Sequence, residues 1–250
     1  MRLDRVIAVR NDKTIFRDGE QCVKVFNRRY SKADVLNEAA NQARMEAYGI
    51  AVPKIYSVNK VEEKWAIVSE YIKGKTLEQM ILEEPDRKEE YLEYLAELQI
   101  KVHEKICAQF IDLKDVLTYR ISNGQMDDAV CRRMQLRLDE MPSQRNICHG
   151  DFNPSNVVVA EDGTAYILDW SKAAKGDTAA DAAASYLYFC CKNDMETANK
   201  YVELYCLKSG TSESEIRKWV PMIAASEFMY RNQKEKRILL SMIEESQGGV

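Results

Sequence analysis

Short apolar runs open the chain: Arg5 to Val9, Thr14 to Phe16 and Gln21 to Phe26, parted by the polar stretches Asn11-Asp12-Lys13 and Arg17-Asp18-Gly19-Glu20. Runs of this length with turn residues between them predict strands. Ser31 then offers a helix cap with Asp34 three residues on, and Leu36, Ala39, Ala40, Ala43 and Ala47 follow at helical spacing until Gly49. Val52-Pro53 stops that helix, after which Lys54 to Asn59 and Trp65 to Tyr71 read as two further strands. The first part is therefore expected to be a five-stranded antiparallel sheet with one helix, ending in a short polar linker, Lys73-Gly74-Lys75.

Beyond the linker the spacing turns helical: Thr76 to Glu84, Arg87 to Ile106, and Lys114 to Met141 with a break near Asn123-Gly124. Between Asn146 and Trp170 short strands return, Val157 to Ala160 and Ala165 to Asp169, around a hairpin turn at Asp162-Gly163. Helices then resume. Asp194 caps one that Gly210 closes, and Ser212 with Glu215 makes a capping box for the next, which Pro221 is expected to kink or divide. The pattern gives an α+β chain in two lobes: residues 1–74, a small antiparallel-sheet lobe with one helix, and residues 75–250, larger and mainly helical.

Composition narrows the class without naming it. With 46% hydrophobic and 30% charged residues, the 250-residue chain is that of a globular protein, not of a disordered or disulfide-scaffolded one. Its seven cysteines are odd in number and irregularly spaced, with only two histidines to help build a zinc site, so reduced thiols are expected. The N-terminal residues lack the apolar core of a signal peptide, and Ala182 to Cys191 is too short to span a bilayer, which predicts a cytoplasmic protein without a membrane partner. A net charge of −4 gives no electrostatic footprint for nucleic acid. The charge is unevenly spread: residues 1–75 hold 15 Lys and Arg against 10 Asp and Glu, and the remainder hold 21 against 30. A basic first part and an acidic second part suit different ligands.

The candidate chemistry lies in Cys148-His149-Gly150-Asp151-Phe152-Asn153-Pro154-Ser155-Asn156, followed by the apolar run Val157-Val158-Val159. Asp151 and Asn156, five residues apart on a loop entering a strand, repeat the Asp-to-Asn spacing of a kinase catalytic loop. Thirteen residues after Asn156, the strand Ala165-Tyr166-Ile167-Leu168 ends in Asp169-Trp170. Phosphoryl transfer needs such groups: one carboxylate to take or orient the proton of the attacking hydroxyl, and hard oxygen ligands to hold Mg²⁺ on a triphosphate. Asp151 suits the first role, and Asn156 with Asp169 suits the second. A pair of Asx turns beside a hairpin is the structural alternative. In the first lobe, Lys24 lies in the apolar strand Cys22-Val23-Lys24-Val25-Phe26 and needs a partner, which Glu38 on the next helix can supply.

Together these residues resemble the aminoglycoside phosphotransferase and choline kinase family, the metabolite-kinase branch of the protein-kinase-like fold. The resemblance runs from Val6 to about Leu240 and also takes in Val52-Pro53, the segment Ile67-Val68-Ser69-Glu70-Tyr71-Ile72-Lys73-Gly74, and Gly176-Asp177 with Asp181. It implies that Asp151 is the catalytic base, that Asn156 and Asp169 are magnesium ligands, that Lys24 contacts phosphates and that Glu38 orients Lys24. It further implies that the backbone of Glu70 and Ile72 meets the purine of ATP or GTP, that Val158 and Leu168 pack beneath it, and that His149 and Asp181 brace the catalytic loop. Two departures stand out: Asn153 where many relatives have histidine, and Ser155 where they have glycine. The first turn, Val9-Arg10-Asn11-Asp12-Lys13-Thr14, also lacks the glycine-rich loop of protein kinases. The expected activity is transfer of a γ-phosphoryl group to a hydroxyl of a small molecule, with the site in the cleft between lobes. The acidic second part favours an amine-bearing acceptor over an anionic one. A protein kinase of the same fold and a nucleotide-binding pseudokinase are the rival readings, and nothing in the sequence bears on oligomeric state.

Overall fold

A computed structural model describes residues 5–9 and 12–245. In chain order the elements are β1 (Arg5–Val9), β2 (Lys13–Asp18), β3 (Gln21–Phe26), α1 (Lys32–Ala47), β4 (Ile55–Val61), β5 (Lys64–Glu70), β6 (Gly74–Thr76), α2 (Leu77–Glu83), α3 (Lys88–His103), α4 (Leu113–Ser122), α5 (Asp128–Glu140), β7 (Asn146–Cys148), β8 (Val157–Ala160), β9 (Ala165–Ile167), β10 (Ala174–Gly176), α6 (Thr178–Cys191), α7 (Met195–Ser209), α8 (Glu213–Glu227) and α9 (Gln233–Glu245). The described residues form two compact units, one within residues 1–83 with 154–172, the other within residues 84–153 with 173–250.

The first unit holds a five-stranded antiparallel sheet in the order β1-β2-β3-β5-β4. Strand alternation sorts its side chains onto two faces. Val23, Val25, Ala66 and Val68 cluster on one, with Phe16 and Val61 against them. Phe26 and Ile67 meet Val35 and Ala39 of α1 on the other. The capping box opens α1 as its sequence implies: Ser31 Oγ accepts from Asp34 N–H, and Asp34 Oδ2 accepts from Ser31 N–H at 2.8 Å. Of the predicted apolar stripe, only Ala39 is on the face that α1 buries. Leu36 is 43% exposed, Ala43 and Ala47 face solvent, and the buried residues are Val35, Glu38, Ala39, Asn41, Gln42 and Met45. Three of these are polar, and their partners explain the difference: Glu38 takes Lys24, Gln42 donates to the Pro53 carbonyl at 2.6 Å, and Asn41 donates to the Trp170 carbonyl at 3.1 Å.

A second, three-stranded sheet in the same unit runs β6-β8-β9. Its edge strand corrects the expected linker, since Gly74 and Lys75 pair with Ala160 and Val159. Gly74 makes the approach possible, because a Cβ there would lie 2.1 Å from the Val159 carbonyl oxygen. The hairpin joining β8 to β9 turns at Asp162-Gly163, with Gly163 at φ +84° and Asp162 accepting from Thr164 N–H. Strand β9 stops at Ile167, two residues short of the expected end.

In the second unit α6 packs on α7 and α8, α3 packs on α7, and α9 packs on α8. Helix α6 is apolar nearly all round (TAADAAASYLYFCC) and correspondingly buried. Asp177, its N-cap, accepts from Ala179 N–H at 2.9 Å. Helix α8 continues through Pro221, so of the expected kink or division the division does not occur. A mid-helix proline costs about 3 kcal/mol, but Trp219, Val220, Met222 and Ile223 beside it are all buried. Each such side chain returns roughly 1.5–3 kcal/mol, which carries the helix across. Among the described residues no helix is long and apolar enough to cross a membrane. All seven cysteines are free, four of them buried.

Candidate active site

On β3 the side chain of Lys24 shares the α1-facing side of the sheet with Phe26, and its register partner on β5 is Ile67. An ammonium in such apolar surroundings is costly unless paired. Its Nζ donates to Glu38 Oε1 at 2.5 Å, and Glu38 is 3% exposed. The buried Glu38 thus has its counter-ion, and Lys24 is held by a helix that the capping box starts in register.

A second carboxylate completes the chain of charges. Asp169 Oδ1 lies 3.6 Å from Lys24 Nζ, and Asp169 Oδ2 accepts from Lys13 Nζ at 2.5 Å. Burial would raise the Asp169 pKa, but the charges of Lys24 and Lys13, with hydrogen bonds from Lys13 and Ser171, hold it well below the usual carboxylate range. Lys24 shows the mirror image: burial works against its charge, and Asp169 and Glu38 outweigh that and raise its pKa. Asp169 stands at φ +64°, a left-handed backbone that costs a non-glycine residue roughly 1 kcal/mol and that Asp tolerates better than most. The next residue clamps it there. Trp170 is fully buried, donates its indole N–H to the Ile167 carbonyl, and accepts from Asn41 of α1.

Asn156 closes the short 3₁₀ turn before β8 and is 8% exposed. Its carbonyl accepts from Leu168 N–H at 2.8 Å, which ties it to the residue before Asp169. Val158 is buried on β8 opposite Tyr166. Leu168 is half-buried beyond the end of β9. Glu70 ends β5, with its N–H donated to the Lys54 carbonyl and the neighbouring Tyr71 N–H donated to the Glu20 carbonyl. The Glu70 N–H is thus taken, and its carbonyl accepts from Ser69 Oγ at 3.5 Å. Ile72 follows in a stretch without regular secondary structure before β6. Arg10 and Asn11 of the glycine-free first turn lie outside the described residues, while Asp12 after them accepts from the N–H of Asn27.

In the second unit a buried carboxylate organises the loop that carries Asp151. Asp181, in the first turn of α6, accepts backbone N–H groups from His149 at 3.1 Å and Gly150 at 2.6 Å, and the Gln99 amide at 3.0 Å. His103 Nε2 lies 2.9 Å from the same carboxylate, and its Nδ1 meets Tyr205 Oη at 2.9 Å. Burial raises the Asp181 pKa, but the bond and charge of His103, then His149 and Gln99, overcome it and leave it lowered to about 2. The fully buried His149 accepts Asp151 N–H on Nδ1 and stacks edge-on to Phe152. Ser185 donates to the Phe152 carbonyl at 2.7 Å. Asn153 donates to the Asp151 carbonyl at 2.9 Å, so the departure at this position supplies a local bond to the loop. Arg231, whose guanidinium pairs with Glu227 at 3.0 Å, stands near enough to Asp151 to feel its charge.

Three residues here were not singled out in the sequence: Lys13, Gln99 and His103. Lys13 has the same strand-face parity as Ile15, the register partner of Lys24, and His103 is one of only two histidines; those were the available signals.

The donors fit a magnesium nucleotide. Among the described residues no group of three or more His, Cys, Asp or Glu could hold a metal by itself. Asp169 and Asn156 offer one carboxylate and one amide, and Mg²⁺ bound by so few protein oxygens draws its other ligands from phosphates and water.

No curated protein matches the sequence. Solved structures do. A thermostable mutant of aminoglycoside phosphotransferase APH(4)-Ia, in a ternary complex with AMP-PNP and hygromycin B, is similar at 15% identity and a TM-score of 0.72, over 98% of this chain and 94% of that one. Choline kinase LicA from Streptococcus pneumoniae is similar at 16% identity and a TM-score of 0.61, over 99% of this chain and 89% of that one. A choline/ethanolamine kinase family protein from Mesorhizobium loti is similar at 15% identity and a TM-score of 0.61, over 98% and 88%. At these identities the likeness shows a shared kinase-like fold. A family model described as the phosphotransferase enzyme family matches residues 6–219, most of the length, and the chain belongs to that family.

Proposed function

We propose that this protein is a small-molecule kinase that moves the γ-phosphoryl group of ATP or GTP onto an alcohol. The observation that carries the reading is the run of ion pairs Glu38–Lys24–Asp169–Lys13 inside one unit. It sets two cations beside a largely buried carboxylate held below its usual pKa. Lys24, oriented by Glu38, is the phosphate contact, Asn156 and Asp169 are the metal ligands, and Glu70, Ile72, Val158 and Leu168 receive the base. When bound, Mg²⁺ neutralises charge on the phosphates. Asp151, on the loop fixed by His149 and Asp181, takes or orients the acceptor's hydroxyl proton. The division into a nucleotide-binding part up to residue 74 and an acceptor-binding part after it belongs to this reading.

We take the acceptor to be an amine-bearing alcohol. The support is the acidic balance after residue 75 and the similarity to proteins named for aminoglycosides, choline and ethanolamine. A cytoplasmic location goes with nucleotide use and with seven free thiols. The test is a nucleotide-consumption screen of the purified chain against hydroxylated amines, sugars, amino acids and aminoglycosides. An amine-bearing hit supports the reading; a best substrate that is anionic contradicts the acceptor class.

A further inference from the structure

Lys13 begins β2, and its neighbour on the same face, Ile15, stands opposite Lys24 across the β2–β3 pair. The two lysines therefore approach Asp169 from adjacent strands and divide its oxygens, Lys13 on Oδ2 at 2.5 Å and Lys24 on Oδ1 at 3.6 Å. They are not equivalent. Lys24 is already held by Glu38 at 2.5 Å, whereas Lys13 holds the carboxylate oxygen itself, with both side chains largely buried at 13% and 17% exposure.

As built, two ammonium groups face two carboxylates and the local charge balances. A divalent cation placed on Asp169 with Lys13 still in position would leave a buried excess of two positive charges, which is strongly unfavourable at low dielectric. Nucleotide phosphates supply the missing negative charge. A lysine, a compact charge on a flexible stem, can leave the carboxylate and follow it.

We propose that Lys13 is a phosphate-positioning residue that competes with the divalent cation for Asp169, holding the carboxylate in the free protein and turning to the phosphate oxygens when metal and nucleotide bind together. The proposal rests on the reading of Asp169 as a metal ligand. It makes metal binding conditional on the nucleotide.

The test is calorimetric titration of the full chain with AMP-PNP, once with EDTA and once with saturating Mg²⁺, for wild type, Lys13→Met, Lys13→Arg and Asp169→Ala, each checked for a cooperative melt. Without metal, Lys13→Met should bind AMP-PNP roughly tenfold more weakly, because the Asp169 charge that Lys13 neutralises then faces the phosphates uncompensated. Because metal no longer has to displace an ammonium, the gain from Mg²⁺ should be about tenfold larger than in wild type, by the same magnitude. Lys13→Arg should restore the wild-type ratio, and Mn²⁺ titrated alone should bind Lys13→Met more tightly by electron paramagnetic resonance. An unchanged or smaller Mg²⁺ gain in Lys13→Met, with Asp169→Ala having lost its metal dependence, overturns the role of Lys13 alone. Undiminished metal dependence in Asp169→Ala overturns the metal-ligand reading and this proposal with it.

Discussion

Asp169 is held by Lys13, Lys24 and Ser171 in a backbone conformation that few residues accept. Asp169→Ala and Asn156→Ala should each weaken Mg²⁺-dependent nucleotide binding, the former more because it removes a charge. Calorimetry decides this: unchanged affinity and metal dependence in both would put the ligands elsewhere. The pair Lys24 and Glu38 is tested by a double-mutant cycle. Removing one member of a buried pair leaves an uncompensated charge at a cost of about 3–5 kcal/mol, so Lys24→Met and Glu38→Gln should each destabilise the chain in urea. Each should also lower kcat/KM, and the double variant should lose less than the sum. Strict additivity would separate the two residues. Lys24 and Glu38 were legible in the sequence because a lysine in an apolar strand demands an acid nearby. Lys13 was not, since its partner Asp169 lies 156 residues away in the chain.

Helix α6 ties the loop that carries Asp151 to the core through Asp181 and Ser185. Asp181 has a pKa of about 2 against an ordinary value of 3.8. A depressed carboxylate contributes stability that is present above its unfolded pKa and lost as pH falls through its folded one, here between about pH 4 and pH 2, and worth about 2 kcal/mol. Melting temperatures of the wild type should therefore fall across that window more steeply than those of Asp181→Asn. Parallel curves would mean that Asp181 is not the loop's electrostatic anchor. Periodicity read the five-stranded sheet, the α1 and α8 capping boxes and the β8–β9 hairpin because those signals are local. It misjudged the buried face of α1, where polar residues are inside because Lys24, the Pro53 carbonyl and the Trp170 carbonyl await them. It also read β6 as linker, since only the close approach of Gly74 to Val159 makes that segment a strand. Strands β7 and β10 are three residues each, too short for alternation to register. Asp151, Asn156 and Asp169 stood out by spacing; Gln99 and His103 did not, because their meeting with Asp181 spans 82 and 78 residues.

Charge over the whole chain bears on the acceptor. Part of the acidity after residue 75 is neutralised at the surface of the second unit, where Glu89 pairs with Lys200, and Glu93 and Glu97 with Lys208. What remains should attract a cationic acceptor, so kcat/KM for amine-bearing substrates should fall as ionic strength rises, while an uncharged alcohol should show little change. An equal response of both would remove electrostatics from acceptor choice. The central claim, that the chain phosphorylates a small alcohol with Asp151 as the proton acceptor, is tested most directly by mass spectrometry of products. Wild type and Asp151→Asn would each be incubated with Mg·ATP and a panel of hydroxylated amines, with AMP-PNP affinity measured in parallel. The wild type should yield a phosphorylated alcohol, and the variant should lose on the order of 10² to 10⁴ in turnover while binding nucleotide as before. Near-wild-type turnover by Asp151→Asn, or phosphate found only on protein, would contradict it.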